Sequence, residues 1–254
     1  MANRPPFKMR RIILCYNIIM VLLNLKYLMF VINFLDYGYG LFFFKACKRN
    51  DLSDRAIYDL EMAHQLFITK FIDLFDTIFF VLRKKHKHVS VLHLYHHSAV
   101  PILYWIAFRL VPVLTPLSIF VLINCAIHVL MYSYYALSSF GPRMRPYLWW
   151  KKYITQIQMI QFVIYGVYAI YCSMVIDGIP YYFQILVHIQ SPVFLVLFAR
   201  FYIKAYMKNR NERNDPQVIS NGLKRNGIQN GVKNNDQNNN NTNELNGKVE
   251  EKCD

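Results

Sequence analysis

The sequence predicts an all-α polytopic membrane bundle with six transmembrane helices, and three observations carry that expectation. Of the 254 residues, 55% are hydrophobic and 16% aromatic, against 17% charged. Six apolar runs reach the roughly 20 helical residues that cross a hydrocarbon core of about 30 Å. Lysine and arginine crowd every second connecting loop, the pattern that orients membrane proteins. This balance excludes an ordinary soluble domain, a secreted disulfide scaffold and a wholly disordered chain. The five cysteines, Cys15, Cys47, Cys125, Cys172 and Cys253, are odd in number and show no CxxC or metal-like spacing. Neither a disulfide framework nor a zinc site is therefore expected.

The spans are expected near residues 12–35, 63–82, 89–108, 115–137, 153–176 and 181–206. Arg4, Lys8, Arg10 and Arg11 precede the first, which is too long and too polar for a cleaved signal segment. A basic stretch at 83–87 follows the second, and another at 143–152 joins the fourth to the fifth. Asp177-Gly178-Ile179-Pro180 forms the turn into the sixth, and ten basic residues follow from Arg200 onward. The opposite loops carry Lys45, Lys48, Arg49, Arg55 and Arg109, offset by Asp36, Asp51, Asp54, Asp59 and Glu61. Both termini are therefore expected on the cytosolic side. The net charge of +14 is mostly topological, although a basic cytosolic rim would also attract anionic head groups and phosphate-bearing substrates. Residues 1–206 are expected to form a membrane catalytic domain. Residues 207–254, with 14 asparagines and 15 of the 44 charges, are expected to be a disordered cytosolic tail.

Ionisable side chains inside a span are costly unless they face a protein interior or a wet cavity. In the second span Lys70, Asp73, Asp76 and Thr77 fall within about 120° of arc on one helical stripe. That stripe is either a self-neutralising pair between helices or the polar wall of a chamber. The third span opens His93-Leu94-Tyr95-His96-His97, with all three imidazoles within about 100° of one face. Single histidines such as His64 and His188 read instead as packing residues, and His86 and His88 as loop residues. In the fourth span Asn124, His128, Met131, Tyr132 and Tyr135 share a stripe. Without His128 it would read as packing. Thr155, Gln158 and Gln161 open the fifth at three-residue intervals and serve either as interhelical glue or as chamber lining. Cys125 reads as a small packing residue. Counted at 1.5 Å per residue, Asp76, the histidines of 93–97, His128 and residues 155–161 lie roughly 5 to 15 Å inside the cytosolic face. The lumenal stretches 101–108 and 163–171 are apolar and aromatic. A polar chamber over an apolar interior suits a molecule with a charged head and a long hydrocarbon tail.

The strings KFIDLFDT at 70–77, FFVLRKK, HLYHH at 93–97, Asn124 with HVLMYSYY at 128–135, and WWKKYITQIQMIQF at 149–162 occur in this order. Together they resemble the elongases of very long chain fatty acids, membrane 3-ketoacyl-CoA synthases of the endoplasmic reticulum, over residues 3–206. Two departures stand out. Asp73 occupies a position where the family usually has glutamate. The family normally has seven spans, and the opening NRPPFKMRRIILCYN resembles the loop before its second, so the first helix is expected to be missing. The resemblance implies a six-helix barrel around a closed acyl tunnel.

The implied reaction joins a long-chain acyl-CoA to malonyl-CoA, giving 3-ketoacyl-CoA, CO2 and CoA. No cysteine lies on the polar stripes, which leaves an imidazole as the nucleophile, and the resemblance implies His96 as the acyl acceptor. His93, His97 and His128 follow as orienting or acid–base groups, and Asn124 as a donor to developing negative charge. Lys70, held by Asp73 and Asp76, shapes the thioester and malonyl site with Tyr132, Tyr135, Thr155, Gln158 and Gln161. No metal and no cofactor is expected. The expected partners are acyl-CoA, malonyl-CoA, membrane lipid and the reductases and dehydratase of the elongation cycle, with a homodimer as one option and no nucleic acid. Two other classes compete with this reading. HxxHH is also an iron-binding box of di-iron membrane desaturases and hydroxylases, but those draw on about eight clustered histidines, whereas only four lie at chamber depth here. A small transporter would show helices broken by glycine or proline near mid-membrane, and these spans are nearly continuous.

Overall fold

The computed structural model describes residues 5–41, 53–85, 89–110, 115–176 and 179–208. Among them the secondary structure is helical: α1 (Arg10–Phe34), α2 (Asp54–Ile72), α3 (Phe75–Leu82), α4 (Val91–Leu110), α5 (Thr115–Ser138), α6 (Lys151–Val175) and α7 (Tyr181–Tyr202). Short 3₁₀ turns, Asp36–Leu41 and Pro142–Leu148, follow α1 and α5. One compact unit ends at Tyr202, and the π-helical turn Ile203–Lys208 belongs to a second. The Asn-rich tail from 209 onward, His86, His88, Cys47 and the Asp177-Gly178 half of the predicted turn lie outside the described residues.

Five of the six predicted spans form single helices with ends within a few residues of the expected ones. Four segments, Arg10–Phe34, Leu117–Ser138, Pro146–Val175 and Tyr181–Met207, are long and apolar enough to cross a membrane. The outer surface fits lipid: Ile12, Ile19, Leu22 and Met29 of α1, Ile160, Val163 and Val167 of α6, and Ile189 and Val196 of α7 are all exposed. In water such a surface would aggregate; in a bilayer it is the solvated face. The protein is a multi-pass membrane protein.

Two expectations need correction. Residues 63–82 do not form one continuous helix. The α-helical ladder tightens at Asp73: Leu74 N–H donates to Phe71 C=O at 3.2 Å, Asp76 to Asp73 at 3.2 Å and Thr77 to Leu74 at 3.1 Å, all three residues back. The Ile72 carbonyl, released from the Asp76 N–H, instead accepts from the Tyr16 hydroxyl of α1 at 3.3 Å. Local polarity does not break the helix by itself; a partner on another helix holds the tightened turn. Asp59, assigned to a loop from its charged neighbours, is helical and only 5% exposed. Ser53 starts α2 early by accepting from the Ala56 N–H at 3.3 Å, with Asp54 in the first turn.

Six of the seven helices pack in the order α1, α5, α6, α7, α4, α2 and back to α1. Phe7 N–H donates to Leu82 C=O at 3.2 Å, and the Arg10 guanidinium to Ser139 C=O, so the start of α1 meets the ends of α3 and α5. Arg10, Arg83, Lys84 and Lys85 make this the basic end. Further along, the Thr69 hydroxyl lies 3.0 Å from Tyr27 Oη and Lys26 Nζ donates to Gln65 at 2.6 Å, fixing α1 and α2 antiparallel. Between α6 and α7 the Ser191 hydroxyl donates to Phe162 C=O at 2.7 Å. Gly166 permits that approach, because a Cβ there would stand 3.1 Å from Ser191 Oγ.

Candidate active site

The tightened turn between α2 and α3 creates the first half of the site. In an α-helix residues three apart are offset by about 60°, whereas in a 3₁₀ turn they eclipse. Asp73 and Asp76 therefore both face one group, the Tyr132 hydroxyl of α5, at 3.1 Å and 2.9 Å. Lys70 ends the first arm of the motif, with Nζ 3.1 Å from the other oxygen of Asp73 and 5.5 Å from the centre of the Tyr104 ring. Lys70 is 2% exposed and Tyr132 1%. This corrects the expected pairing: the carboxylate on Lys70 is Asp73, while Asp76 is held by tyrosine.

The second half is the histidine helix. Thr77 Oγ lies 2.9 Å from His93 Nε2, linking α3 to the opening turn of α4. The His93 and His97 rings stand 4.1 Å apart, and His96 and His97 5.4 Å apart. His96 also leans on Phe194 at 5.5 Å and Phe198 at 6.3 Å, both on α7. From α5, Asn124 Nδ2 lies 3.4 Å from His128 Nε2, and the His128 ring is 5.8 Å from that of Tyr132. Asn124, His128 and Tyr132 thus run along one stripe and touch the acidic half through Tyr132.

Thr155 and Gln161 are buried, and Gln158 donates to Met131 Sδ at 3.8 Å. Tyr135 packs edge-on to Tyr132 at 6.1 Å. Cys125 is fully buried in an apolar cluster, and His64 packs at 5.6 Å from Phe108 as a filler would. Sequence reading passed over three groups on α1: Tyr16, which anchors the helix break and lies 6.0 Å from Tyr132, and the buried Asn17 and Asn24. Their signal was present, since two asparagines seven apart fall on one face of an otherwise apolar run.

Away from the basic end, six helices line a cavity of about 160 Å³. Its walls include Phe34 of α1, Phe67 of α2, Leu103 and Phe108 of α4, Val121 of α5, Tyr165 of α6, and Phe183 and Phe194 of α7. The expected apolar stretch 101–108 does line it. The stretch 163–171 mostly does not: Val163, Ile164, Val167, Ile170 and Tyr171 face outward. A helix can give only one stripe to an interior, and on α6 that stripe passes through Phe162 and Tyr165. Phe194 belongs both to the cavity wall and to the packing around His96, so His96 stands where polar and apolar regions join. Among the described residues, His97 Nδ1, His128 Nδ1, Gln161 Oε1 and the Tyr104 hydroxyl are buried with no hydrogen-bond partner, and such groups are costly unless a bound molecule satisfies them.

Tyr132→Phe tests how this network is held. The substitution keeps the ring and removes the donor that Asp73 and Asp76 share. The expected loss is about 1–3 kcal/mol of stability and at least about tenfold in turnover. Thermal unfolding and turnover both unchanged would show that the hydroxyl does not position the carboxylates.

The family model described as ELO: GNS1/SUR4 family matches residues 1–214. Very long chain fatty acid elongase 1 of Homo sapiens is 37% identical, over 83% of this chain and 75% of that protein. Very long chain fatty acid elongase 4 of Homo sapiens is 37% identical over 90% and 72%, and very long chain fatty acid elongase 7 of Drosophila melanogaster 35% over 87% and 67%. A family match that runs through every element of the site, together with relatives at this identity, means that the chain belongs to the ELO family.

Proposed function

We propose that this protein is a condensing enzyme of fatty acid elongation, joining a long-chain acyl-CoA to malonyl-CoA through an acyl group carried on His96. The observation that carries the reading is the position of His96, between a cluster of histidines and an apolar cavity walled by six helices. An acyl chain in the cavity brings its thioester to the imidazole, while the CoA phosphates remain at the basic end.

A ring nitrogen of His96 attacks the thioester carbon, the C–S bond breaks, and CoA leaves as a thiolate that takes up a proton. Malonyl-CoA then loses its carboxylate as CO2, and the electron pair of that C–C bond forms an enolate. The enolate carbon attacks the acyl carbon, 3-ketoacyl-CoA forms, and the imidazole is released. Asn124 and the Lys70–Asp73 pair supply hydrogen-bond donors and positive charge where negative charge develops, and His93, His97 and His128 orient the nucleophile and move protons. No cofactor takes part. The product, a β-ketoacyl thioester, passes to the reductases and dehydratase of the elongation cycle in the endoplasmic reticulum membrane.

The test is condensation by the purified full chain: acyl-CoA plus malonyl-CoA should yield 3-ketoacyl-CoA and CO2 in equal amounts. About two equivalents of bound iron and no condensation would return HLYHH to metal chemistry. The proposed orientation has its own check. An acceptor sequon placed near Ser53 should be glycosylated, and glycosylation near Arg143 instead would reverse it.

A further inference from the structure

The cavity wall beside His96 is built from one apolar cluster. Phe162, Phe194 and Phe198 form its buried centre, with the Phe162 and Phe194 rings stacked 5.2 Å apart and Phe198 5.3 Å from Phe162. Val100, Leu103 and Phe120 pack against them, and all of these except Phe198 line the cavity. Two polar side chains of α7, within a turn of Phe194, line it as well, and each is already engaged. The Ser191 hydroxyl donates to Phe162 C=O at 2.7 Å. Gln190 is paired with the Tyr95 hydroxyl, which lies 3.2 Å from its Oε1 and 3.0 Å from its Nε2. His97 Nδ1 and His128 Nδ1, which have no hydrogen-bond partner among the described residues, belong to side chains that do not line the cavity.

We infer that this wall makes the site selective for acyl chains that carry no oxygen on C3. The inference rests on reading the cavity as the acyl-chain site and His96 as the acceptor. With the thioester carbon at His96, C3 is two bonds away, and the chain must pass Phe194, which borders both the imidazole and the cavity. A methylene there gains from apolar contact. A hydroxyl gives up its water and finds the polar groups of the wall already bonded to one another or to the backbone. The distinction bears on the reaction sequence. Condensation leaves an oxygen on C3 of its product, and a reduction, a dehydration and a second reduction must remove it before the chain is a substrate again. A 3-hydroxyacyl chain has the same CoA and the same number of carbons as the finished one, so only that oxygen tells them apart.

The experiment gives the purified full chain malonyl-CoA with either a saturated acyl-CoA or the 3-hydroxyacyl-CoA of equal length, and measures kcat/KM for each. The wild-type preference for the saturated chain should be about 10²-fold, the discrimination that an apolar pocket reaches against one added hydroxyl. Tyr95→Phe releases the Gln190 amide on the wall and should cut the preference to below about tenfold, and adding Gln190→Leu to it should restore the preference. Each preference is a ratio measured on one preparation, so differences in folded amount cancel, and the wild-type ratio decides the matter even where a variant fails to accumulate. Equal use of the two substrates by the wild type, or an undiminished preference in Tyr95→Phe, would overturn the inference. A wild-type protein that condenses neither substrate would instead contradict the functional reading, so the two failures are distinguishable.

Discussion

His96→Ala is expected to reduce condensation by at least about 10³-fold while the protein still accumulates in membranes. An imidazole that carries the acyl group has no substitute, and removal of a covalent nucleophile leaves only what binding and electrostatic stabilisation supply. The fold should survive, because the ring contacts found for His96 are with Phe194, Phe198 and His97 rather than with a buried charge. His96→Gln, which keeps more of the volume, should be equally inactive, which separates chemistry from packing. The check is the initial rate of 3-ketoacyl-CoA formation normalised to folded protein. Turnover above a tenth of wild type in either variant would remove His96 from the covalent role.

Asp73→Ala is expected to be the most damaging single change to stability. Lys70 would keep a buried ammonium with no carboxylate within bonding distance, a loss of about 3–5 kcal/mol for a broken buried pair. Asp76→Ala removes a hydrogen bond from Tyr132 and leaves the ion pair intact, so its cost should be nearer about 1–3 kcal/mol. The order Asp73 before Asp76 is the specific claim, measured as membrane abundance and as thermal unfolding in detergent. Replacing Lys70 and Asp73 together, by Met and Leu, should recover much of the stability lost by Asp73→Ala and none of the activity. A larger loss for Asp76→Ala would mean that Asp76 carries the compensating charge.

Much of the fold was legible in the sequence because membrane spans obey strong constraints. An apolar run of the right length has few structures open to it, and α1, α4, α5, α6 and α7 lie close to where they were expected. The polar stripes were legible for the same reason, since Lys70, the histidines of 93–97 and His128 have no business facing lipid. What escaped was set between helices. Nothing at Asp73-Leu74 announces a tightened turn, because no proline or glycine is there; the freed carbonyl of Ile72 is held by Tyr16, 56 positions earlier. Which acid pairs with Lys70 follows from that turn, so spacing alone left Asp73 and Asp76 equivalent. Apolar residues gave no sign of whether they face lipid or a cavity. Val167 and Tyr165 read alike in sequence, yet one is 66% exposed and the other lines the cavity.

The central claim is that His96 receives the acyl group before malonyl-CoA takes part, and one incubation tests it directly. Purified protein is mixed with long-chain acyl-CoA alone, free CoA is measured over the first turnover, and the intact protein is weighed by mass spectrometry. The account predicts release of one CoA per active site and a protein heavier by one acyl group, with the adduct mapped to α4 at His96 and absent from His96→Ala. Efficient condensation in the presence of malonyl-CoA, with neither CoA release nor a mass increase in its absence, would contradict it and require direct attack within a ternary complex.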